Sequence, residues 1–144
     1  MSSRASLTPL SDCISALVAN ETPETLEQLW REMLRARFGV IAVGAPSGVT
    51  GLYRVGRGEV GLGQANTPDG RLMILACADP VTFRQRFADQ GFNADIDARS
   101  LFLAAMSNND CQGVLINSAT STHSLPVSRE EIEVLLRRTD AQCN

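Results

Sequence analysis

The sequence predicts a single domain of the α+β class, with a central mixed sheet of about five strands flanked by helices. The chain has 144 residues, which is the length of one ordinary domain. Helical periodicity dominates both ends of the chain, whereas short runs rich in β-branched residues cluster in its middle. No internal repeat or low-complexity linker divides it. We therefore expect residues 1–144 to form one domain, with polar, flexible ends near 1–6 and 140–144.

Two helices are expected first. A Thr-Pro pair at 8–9 is typical of a helix cap followed by the first helical residue, and apolar residues then recur at helical spacing over 10–18. A second Thr-Pro pair at 22–23 is followed by glutamates, which complement the positive end of a helix. The apolar stripe of this second helix covers 26–34.

Four strands are expected next. Residues 38–43 (FGVIAV) form a short apolar run, and 52–55 and 59–63 indicate two more strands with a glycine turn between them. The run NTPDG at 66–70 predicts a turn because proline, aspartate and glycine each favour turn geometry. The run LMILACA at 72–78 is continuously apolar, which is typical of a strand buried on both faces.

The rest of the chain returns to helices around one more strand. An Asp-Pro pair at 79–80 and the single Asp97 each predict a helix start, and Gly91 is expected to stop the first of these two helices. The run GVLIN at 113–117 is a compact strand, and a polar loop follows over 118–124. The S-x-x-E pattern at 128–131 is a capping box that opens the last helix. The predicted order is therefore α-α-β-β-β-β-α-α-β-α.

Composition excludes several chemistries. All 13 basic residues are arginine, so Schiff-base chemistry and a phosphate-loop lysine are absent. The only histidine is His123, which rules out a three-histidine zinc site within one chain. A net charge of −3 argues against nucleic-acid and anionic-membrane partners, and no apolar run is long enough to span a bilayer. We expect neither a cofactor nor a metal.

The four cysteines do not form a metal or redox motif, because none lies in a C-x-x-C pair. Cys13 and Cys77 fall in apolar patterns and are expected in the core. Cys111 and Cys143 fall in polar surroundings that allow exposure. The first ten residues lack the apolar stretch of a secretory signal. A cytoplasmic protein with reduced thiols is the resulting expectation.

A glycine motif resembles a nucleotide-binding fingerprint. Gly56, Gly58 and Gly61 match G-x-G-x-x-G, and Asp79 follows about 20 residues later. The fingerprint requires a helix directly after the glycines, however, because the helix N-terminus holds the pyrophosphate. The proline, aspartate and glycine of the following turn leave no room for one. Hairpin glycines are the better interpretation.

His123 is the first candidate for chemistry. It could act with Cys111 or Ser124 as a nucleophile pair. No G-x-S-x-G elbow accompanies it, and a histidine in a loop of serines and threonines is ordinarily a surface residue. We therefore assign no catalytic residue and expect a protein that is not an enzyme.

Charged clusters offer two further candidates. Asp95 and Asp97 could form an acid–base pair, although aspartates before a helix more simply accept backbone amides. Arg84, Arg86 and Arg99 could bind an anion, or they could lie on solvated helix faces.

The C-terminal half resembles the SseB-type N-terminal domain family of bacteria. The resemblance is carried by RLMILACADPVTFRQRF, the helix around SLFLAAM, and GVLINSATSTHSLPVSREEIEVLL, and it covers about 22–138. Gly113, Ile116 and Asn117 match the family's strand-end motif, whereas Ser118 stands where the family often has proline. The resemblance implies an α+β fold, no established enzymatic activity, and naming linked to type III secretion or enhanced serine sensitivity.

We expect a non-catalytic bacterial adaptor or regulatory domain that acts through a protein partner or by self-association, for example as a homodimer. The alternative is a small-molecule-binding protein or an enzyme that uses the loops 45–51 and 118–124. Residues singled out for ligand or partner contact are Asn117, His123 and Arg99. The apolar helix at 10–18 is expected to pack within the domain, although it could also dock on another chain.

Overall fold

The structure is a computed structural model that describes residues 8–43, 53–54, 61–87 and 91–142. The helices in this part of the chain are α1 (Pro9–Ala19), α2 (Pro23–Arg35), α3 (Pro80–Arg86), α4 (Ala98–Ser107) and α5 (Arg129–Gln142). The strands are β1 (Arg37–Val40), β2 (Ala42–Val43), β3 (Tyr53–Arg54), β4 (Gly61–Leu62), β5 (Gln64–Asn66), β6 (Leu72–Ala78), β7 (Ala94–Asp97), β8 (Gly113–Asn117) and β9 (Ser124–Ser128).

The main sheet is mixed, and β6 lies near its centre. Its strand order is β3-β7-β1-β6-β8-β9, and β5 pairs with the first half of β6 on the same side as β1. The β6–β8 and β3–β7 pairs are parallel and the remaining pairs are antiparallel. The predicted α+β class with a central mixed sheet is confirmed.

Four helices cover one face of the sheet. Side chains from α1, α2, α4 and α5 share one core with alternate residues of β1, β6, β7 and β8. On β6, for example, Ile74, Ala76 and Ala78 enter this core. The helix at 10–18 buries Leu10 and Ile14 there, as self-packing predicts.

The opposite face of the sheet carries helix α3. Cys77 points to this side, where it packs with Phe83 and Ala119, and the rings of Phe87 and Phe92 lie against them. The alternation along β6 therefore separates two apolar clusters, which explains why 72–78 is apolar without a gap. The prediction that this strand is buried on both faces is confirmed at its C-terminal half.

Several local predictions hold in detail. The Thr22 hydroxyl accepts the Thr25 N–H at 3.0 Å, and Asp97 caps α4 by accepting the Ser100 N–H at 3.1 Å. At α5 the capping box is reciprocal: the Glu131 carboxylate accepts the Ser128 N–H at 3.0 Å, and the Ser128 hydroxyl accepts the Glu131 N–H at 3.2 Å.

Three strands were not predicted. β5 lies at 64–66, between the strand expected at 59–63 and the turn expected at 66–70. β7 lies at 94–97, directly before α4, and β9 begins at Ser124, the last residue of the loop expected at 118–124. The two strands expected around a glycine turn are present as β3 and β4, but they pair with β7 and β2 and not with each other. The expected turn at 56–58 lies outside the described residues.

The chain ends and one helix end also differ from expectation. Helix α3 ends at Arg86, well before the Gly91 expected to stop it. The backbone of α5 continues to Gln142, within the segment expected to be flexible. Residues 1–7 and 143–144, which include Cys143, lie outside the described residues.

The outer strand β9 contains Pro126, which pairs with Leu115 of β8. The Ser118 N–H donates to the His123 carbonyl at 3.0 Å. In this antiparallel pair the residues of β9 whose backbone groups point towards β8 are therefore every second one from 123, namely 125 and 127. The amide positions of 124, 126 and 128 therefore face away from β8. Proline has no N–H to present at this edge, and the Ser128 N–H is already bonded to Glu131.

No helix within the described ranges is both long and apolar enough to cross a bilayer.

Candidate functional site

A cavity of about 190 Å³ lies where α3 meets the loop between β8 and β9. It forms on the α3 side of the sheet, because Asn117 is paired with Cys77 and therefore faces the same way. Its lining residues are Phe83, Phe87, Asn117, Ser118, Ser121, Thr122, His123 and Ser124. The structure thus brings together Asn117 and His123, two of the three residues singled out from the sequence.

One wall of the cavity is aromatic. The ring centroids of Phe83 and Phe87 are 4.9 Å apart at an interplanar angle of 43°. Phe92 meets Phe83 edge-on, with centroids 4.8 Å apart. Both separations fall in the range preferred by aromatic pairs. Phe83 is buried and Phe87 is half-buried, so Phe87 presents ring surface to solvent.

The other wall is polar and is held by hydrogen bonds within the loop. The buried Ser118 hydroxyl accepts the Thr120 N–H at 3.2 Å, and the Ser121 hydroxyl accepts the His123 N–H at 3.3 Å. The loop is also anchored to α1, because the Ala119 N–H donates to the Ser11 hydroxyl at 2.7 Å. These bonds explain why a serine-rich segment adopts one compact turn.

Asn117 has a defined orientation at the end of β8. Its carbonyl Oδ1 accepts a hydrogen bond from the Ser124 hydroxyl at 2.7 Å. Within the described residues its amide nitrogen has no hydrogen-bond partner, so this nitrogen is available as a donor. The side chain is half-buried.

His123 is exposed, and its position does not support a nucleophile pair. The Ser124 hydroxyl is bonded to Asn117 and not to the imidazole. Cys111 lies beyond the opposite end of the five-residue strand β8, about 16 Å away at 3.3 Å per residue. Neither of the two possible catalytic pairs, His123 with Cys111 or His123 with Ser124, is therefore formed.

Cys111 is buried, contrary to the exposure that its polar neighbours allow. Its thiol donates to the Gly113 carbonyl at 3.0 Å and has no exposed surface. Burial also raises the pKa of the Cys77 thiol to about 12. Both thiols are therefore shielded from solvent, as expected for small core residues.

The remaining candidate residues of the described chain do not line the cavity. Arg99 is half-buried in the first turn of α4, on the face of the sheet opposite to α3, and does not line the cavity. The Arg86 side chain is exposed, and its guanidinium carbon lies 6.0 Å from the centroid of the Phe87 ring. The loop at 45–51, which the sequence offered as a second part of the site, lies outside the described residues.

The aspartates at 95 and 97 have separate structural roles. Asp97 caps α4. The carboxylate of Asp95 accepts the Arg37 guanidinium at 2.7 Å on the α3 side of the sheet, and only 12% of its side chain is exposed. They do not form an acid–base pair.

A second surface on the α3 side is a row of apolar side chains that crosses the sheet, formed by Ile41, Leu75, Leu115 and Pro126. Leu75 pairs with Leu115, and Leu115 pairs with Pro126. Ile41 and Leu75 are linked through the backbone of Gly63, which donates to the Ile41 carbonyl at 2.7 Å and accepts the Leu75 N–H at 3.0 Å. We call this surface the apolar row.

A larger, open groove of about 370 Å³ runs along α2. Its lining includes Glu24, Glu27 and Arg31, and the Glu27 carboxylate forms ion pairs with Arg31 and with Arg138 of α5. These pairs lower the pKa of Glu27, chiefly through the hydrogen bond from Arg138. The groove contains none of the candidate residues. No group of three metal-ligating side chains occurs in the part of the chain that the structure describes.

Comparisons with protein-family models, with curated proteins and with solved structures find no match for this chain. The resemblance to the SseB-type family therefore stays a prediction from the sequence.

The two phenylalanines of the cavity were not predicted as site residues. Phe83 and Phe87 are four residues apart, which indicates one helix face but not the surface against which that face packs. The signal that could have found them is Asn117 itself. An amide at the end of a strand parallel to β6 must lie beside the start of the helix that follows β6.

Proposed function

We propose that the chain is a non-catalytic bacterial adaptor or regulatory domain that acts through protein contacts, as the resemblance to SseB-type proteins implies. The observation that carries this proposal is the apolar row. Leu75, Leu115 and Pro126 are register partners on the α3 side of the sheet, and Ile41 is linked to Leu75 through Gly63. Pro126 is exposed and the other three members of the row are half-buried. The type III secretion link and the cytoplasmic location belong to the same proposal.

The charge balance favours a protein as the partner. None of the four residues of the apolar row is ionisable, and the chain carries a net charge of −3. A nucleic acid or an anionic lipid surface would require a basic patch. Apolar side chains that cross a sheet match instead an apolar face of another protein, whose contact removes both surfaces from water.

The extension of the row supports the same interpretation. Val43 follows Ile41 at the two-residue spacing of a strand, and 62% of its surface is exposed. Gly61 pairs with Val43 and adds no side chain above it. The apolar surface therefore continues from β9 towards β2.

The contact is proposed to use the face of the sheet and not the edge of β9. An added strand needs a ladder of free N–H and C=O groups. Pro126 has no N–H, and the Ser128 N–H is bonded to Glu131. Side-chain packing on the apolar row is the mode of contact that remains on this side of the molecule.

Site-specific photo-crosslinking tests this proposal. A photoreactive amino acid at position 115 is expected to give one discrete product in native cells, and the same probe at Val18 serves as the control. Val18 is also apolar and 54% exposed, but it lies on α1, across the sheet. Mass spectrometry of the product would distinguish a second copy of this chain from another protein.

A conservative variant makes the test decisive. Leu115→Thr introduces a β-branched residue that is compatible with a strand but removes apolar surface, so it should weaken the contact. Crosslinking from position 126 should then fall, whereas Val18→Thr should leave it unchanged. Products at position 115 no more specific than those at position 18, or a product unaffected by Leu115→Thr, would contradict the proposal.

A further inference from the structure

We propose that the cavity between α3 and the β8–β9 loop binds a small molecule that consists of one six-membered aromatic ring with a neutral hydrogen-bond acceptor, such as a carboxamide. This site is separate from the protein contact proposed above. It uses the end of the sheet at Asn117 and the rings of α3, and it assigns a ligand class to the loop 118–124.

The size of the cavity limits the ligand to a single ring. An engineered apolar cavity of about 150 Å³ holds benzene. The volume of about 190 Å³ therefore admits one ring and a substituent of a few atoms. Drug-sized ligands and nucleotides occupy pockets of roughly 300–1,000 Å³ and do not fit.

The aromatic wall favours a ring over an aliphatic group of the same size. Phe83, Phe87 and Phe92 already form a cluster with tilted and edge-on contacts. Because the ring of Phe87 is only half-buried, one more aromatic ring can pack against it inside the cavity. An aromatic pair contributes more than its buried area alone because of the quadrupoles of the rings.

The polar wall favours a neutral acceptor. Apart from His123, the residues that line the cavity in the described chain carry no ionisable group. The Ser124 hydroxyl holds Oδ1 of Asn117 and leaves the amide nitrogen as a donor. A carbonyl on the ligand can accept this N–H, and the loop hydroxyls can serve its remaining polar atoms.

Titration of the ¹⁵N-labelled chain with benzamide, followed by NMR, tests the inference. We expect saturable shifts at the amides of 83–87 and 117–124, with a Kd on the order of 1 mM. Cyclohexanecarboxamide keeps the amide but lacks the aromatic ring, so it should bind about two- to tenfold more weakly.

Two variants assign the contacts. Asn117→Ala should weaken benzamide about three- to tenfold, because it removes one neutral hydrogen bond. The matched control is Asn66→Ala, an exposed asparagine in β5 beside the opposite end of β6, which should leave the Kd unchanged. Phe87→Leu keeps apolar volume but removes the ring, and it should also weaken binding.

The inference is overturned by shifts that do not saturate or that fall outside these two segments. It is equally overturned if benzoate binds at least as tightly as benzamide, because the assigned ligand is neutral. The protein contact proposed above is measured at Leu115 with no added ligand. Either proposal can therefore be contradicted without affecting the other.

Discussion

The carboxylate of Asp79 accepts the backbone N–H of Ser11 at 2.9 Å and that of Leu10 at 3.4 Å, across 68 and 69 residues of sequence. Asp79 precedes α3, where the sequence predicts it as the cap. Its side chain makes no cap bond to α3 and instead satisfies the free amides of the first turn of α1. The predicted cap of α1, Thr8, makes no side-chain cap bond and donates its hydroxyl to Asp12.

Replacement of Asp79 should therefore destabilise the docking of α1. Asp79→Ala removes the two bonds and leaves alanine at φ +52°, a left-handed conformation that asparagine and aspartate tolerate better. We expect a loss of about 1–3 kcal/mol in the free energy of unfolding, measured by urea denaturation. Asp79→Asn keeps an acceptor and should lose less than half as much.

The control for this prediction is Asp110→Ala, at an exposed aspartate in the turn after α4. It should change the free energy of unfolding by less than about 0.5 kcal/mol. Equal effects of Asp79→Ala and Asp110→Ala would show that the Asp79 bonds do not stabilise the fold.

Gly39 and Cys77 should be energetically coupled. They are register partners in β1 and β6, and a Cβ on Gly39 would overlap the Cys77 sulfur and approach Pro80 Cβ to 3.3 Å. Gly39→Ala alone should cost about 2–3 kcal/mol through overpacking. Because Cys77→Ala removes the sulfur, the double variant should lose at least about 1 kcal/mol less than the sum of the single variants.

Gly61→Ala is the matched control, since a Cβ there meets only Val43 Cβ, at 3.8 Å. It should be close to neutral. Additive losses in the Gly39 and Cys77 double variant, measured by chemical denaturation, would contradict the proposed overlap.

Alkaline pH should destabilise the protein through Cys77. Burial raises the pKa of this thiol from 9.0 to about 12, so the folded state favours the neutral form. The corresponding stability is present below about pH 9, where the thiol is neutral in both states. It is lost as the pH rises from about 9 towards 12, at up to about 1.4 kcal/mol per pH unit.

Urea unfolding at about pH 8, 9 and 10 measures this effect, and Cys77→Ala should show a flatter profile over the same range. The comparison also separates Cys77 from Cys13, whose pKa is raised mainly by burial and which is unchanged in the variant. Parallel pH profiles for the two proteins would be inconsistent with a buried neutral thiol at Cys77.

Arg129 should be sensitive to substitution. Its guanidinium donates to the carbonyls of Ala105, Asn108 and Cys111 at 2.8–3.1 Å and to that of Met106 at 3.3 Å. It thereby binds the last turn of α4, where carbonyls lack helical partners and cations are favoured. Arg129→Ala should cost about 2–3 kcal/mol.

Arg129→Lys should recover little of this loss, because an ammonium cannot reproduce the planar fork of donors. Arg137→Ala is the control, since among the described residues that exposed side chain pairs only with Glu133, one turn away. It should cost less than about 1 kcal/mol. Full recovery by lysine in thermal denaturation would indicate that charge alone explains the effect.

Much of the fold follows from local sequence. The strands at 72–78 and 113–117 were predicted with their observed limits, because each is an apolar run bounded by turn residues. β7 was missed because ADID contains two aspartates, and Asp95 becomes compatible with a buried strand only through Arg37, 58 residues away. β9 was missed because Pro126 is acceptable only on the outward side of an edge strand.

The candidate site was predicted in part. Asn117 was singled out at the end of the strand 113–117 and His123 as the lone histidine in the loop that follows, and the cavity lies there. Its aromatic wall depends on how α3 packs on the sheet, and its loop is held by Ser11, 108 residues away. Arg99 was grouped with Arg84 and Arg86 by sequence distance, yet α4 lies across the sheet from α3. Contacts between residues that are this far apart in the sequence cannot be predicted from local periodicity.

The proline in β9 has a consequence for how copies of this protein behave at high concentration. Fibril growth extends a sheet by stacking one chain on the next, and each step requires an uninterrupted line of amide donors. On its β9 side the molecule lacks one donor and has committed another to its own helix. Crowded copies should therefore not polymerise into cross-β fibres from this side while the domain remains folded.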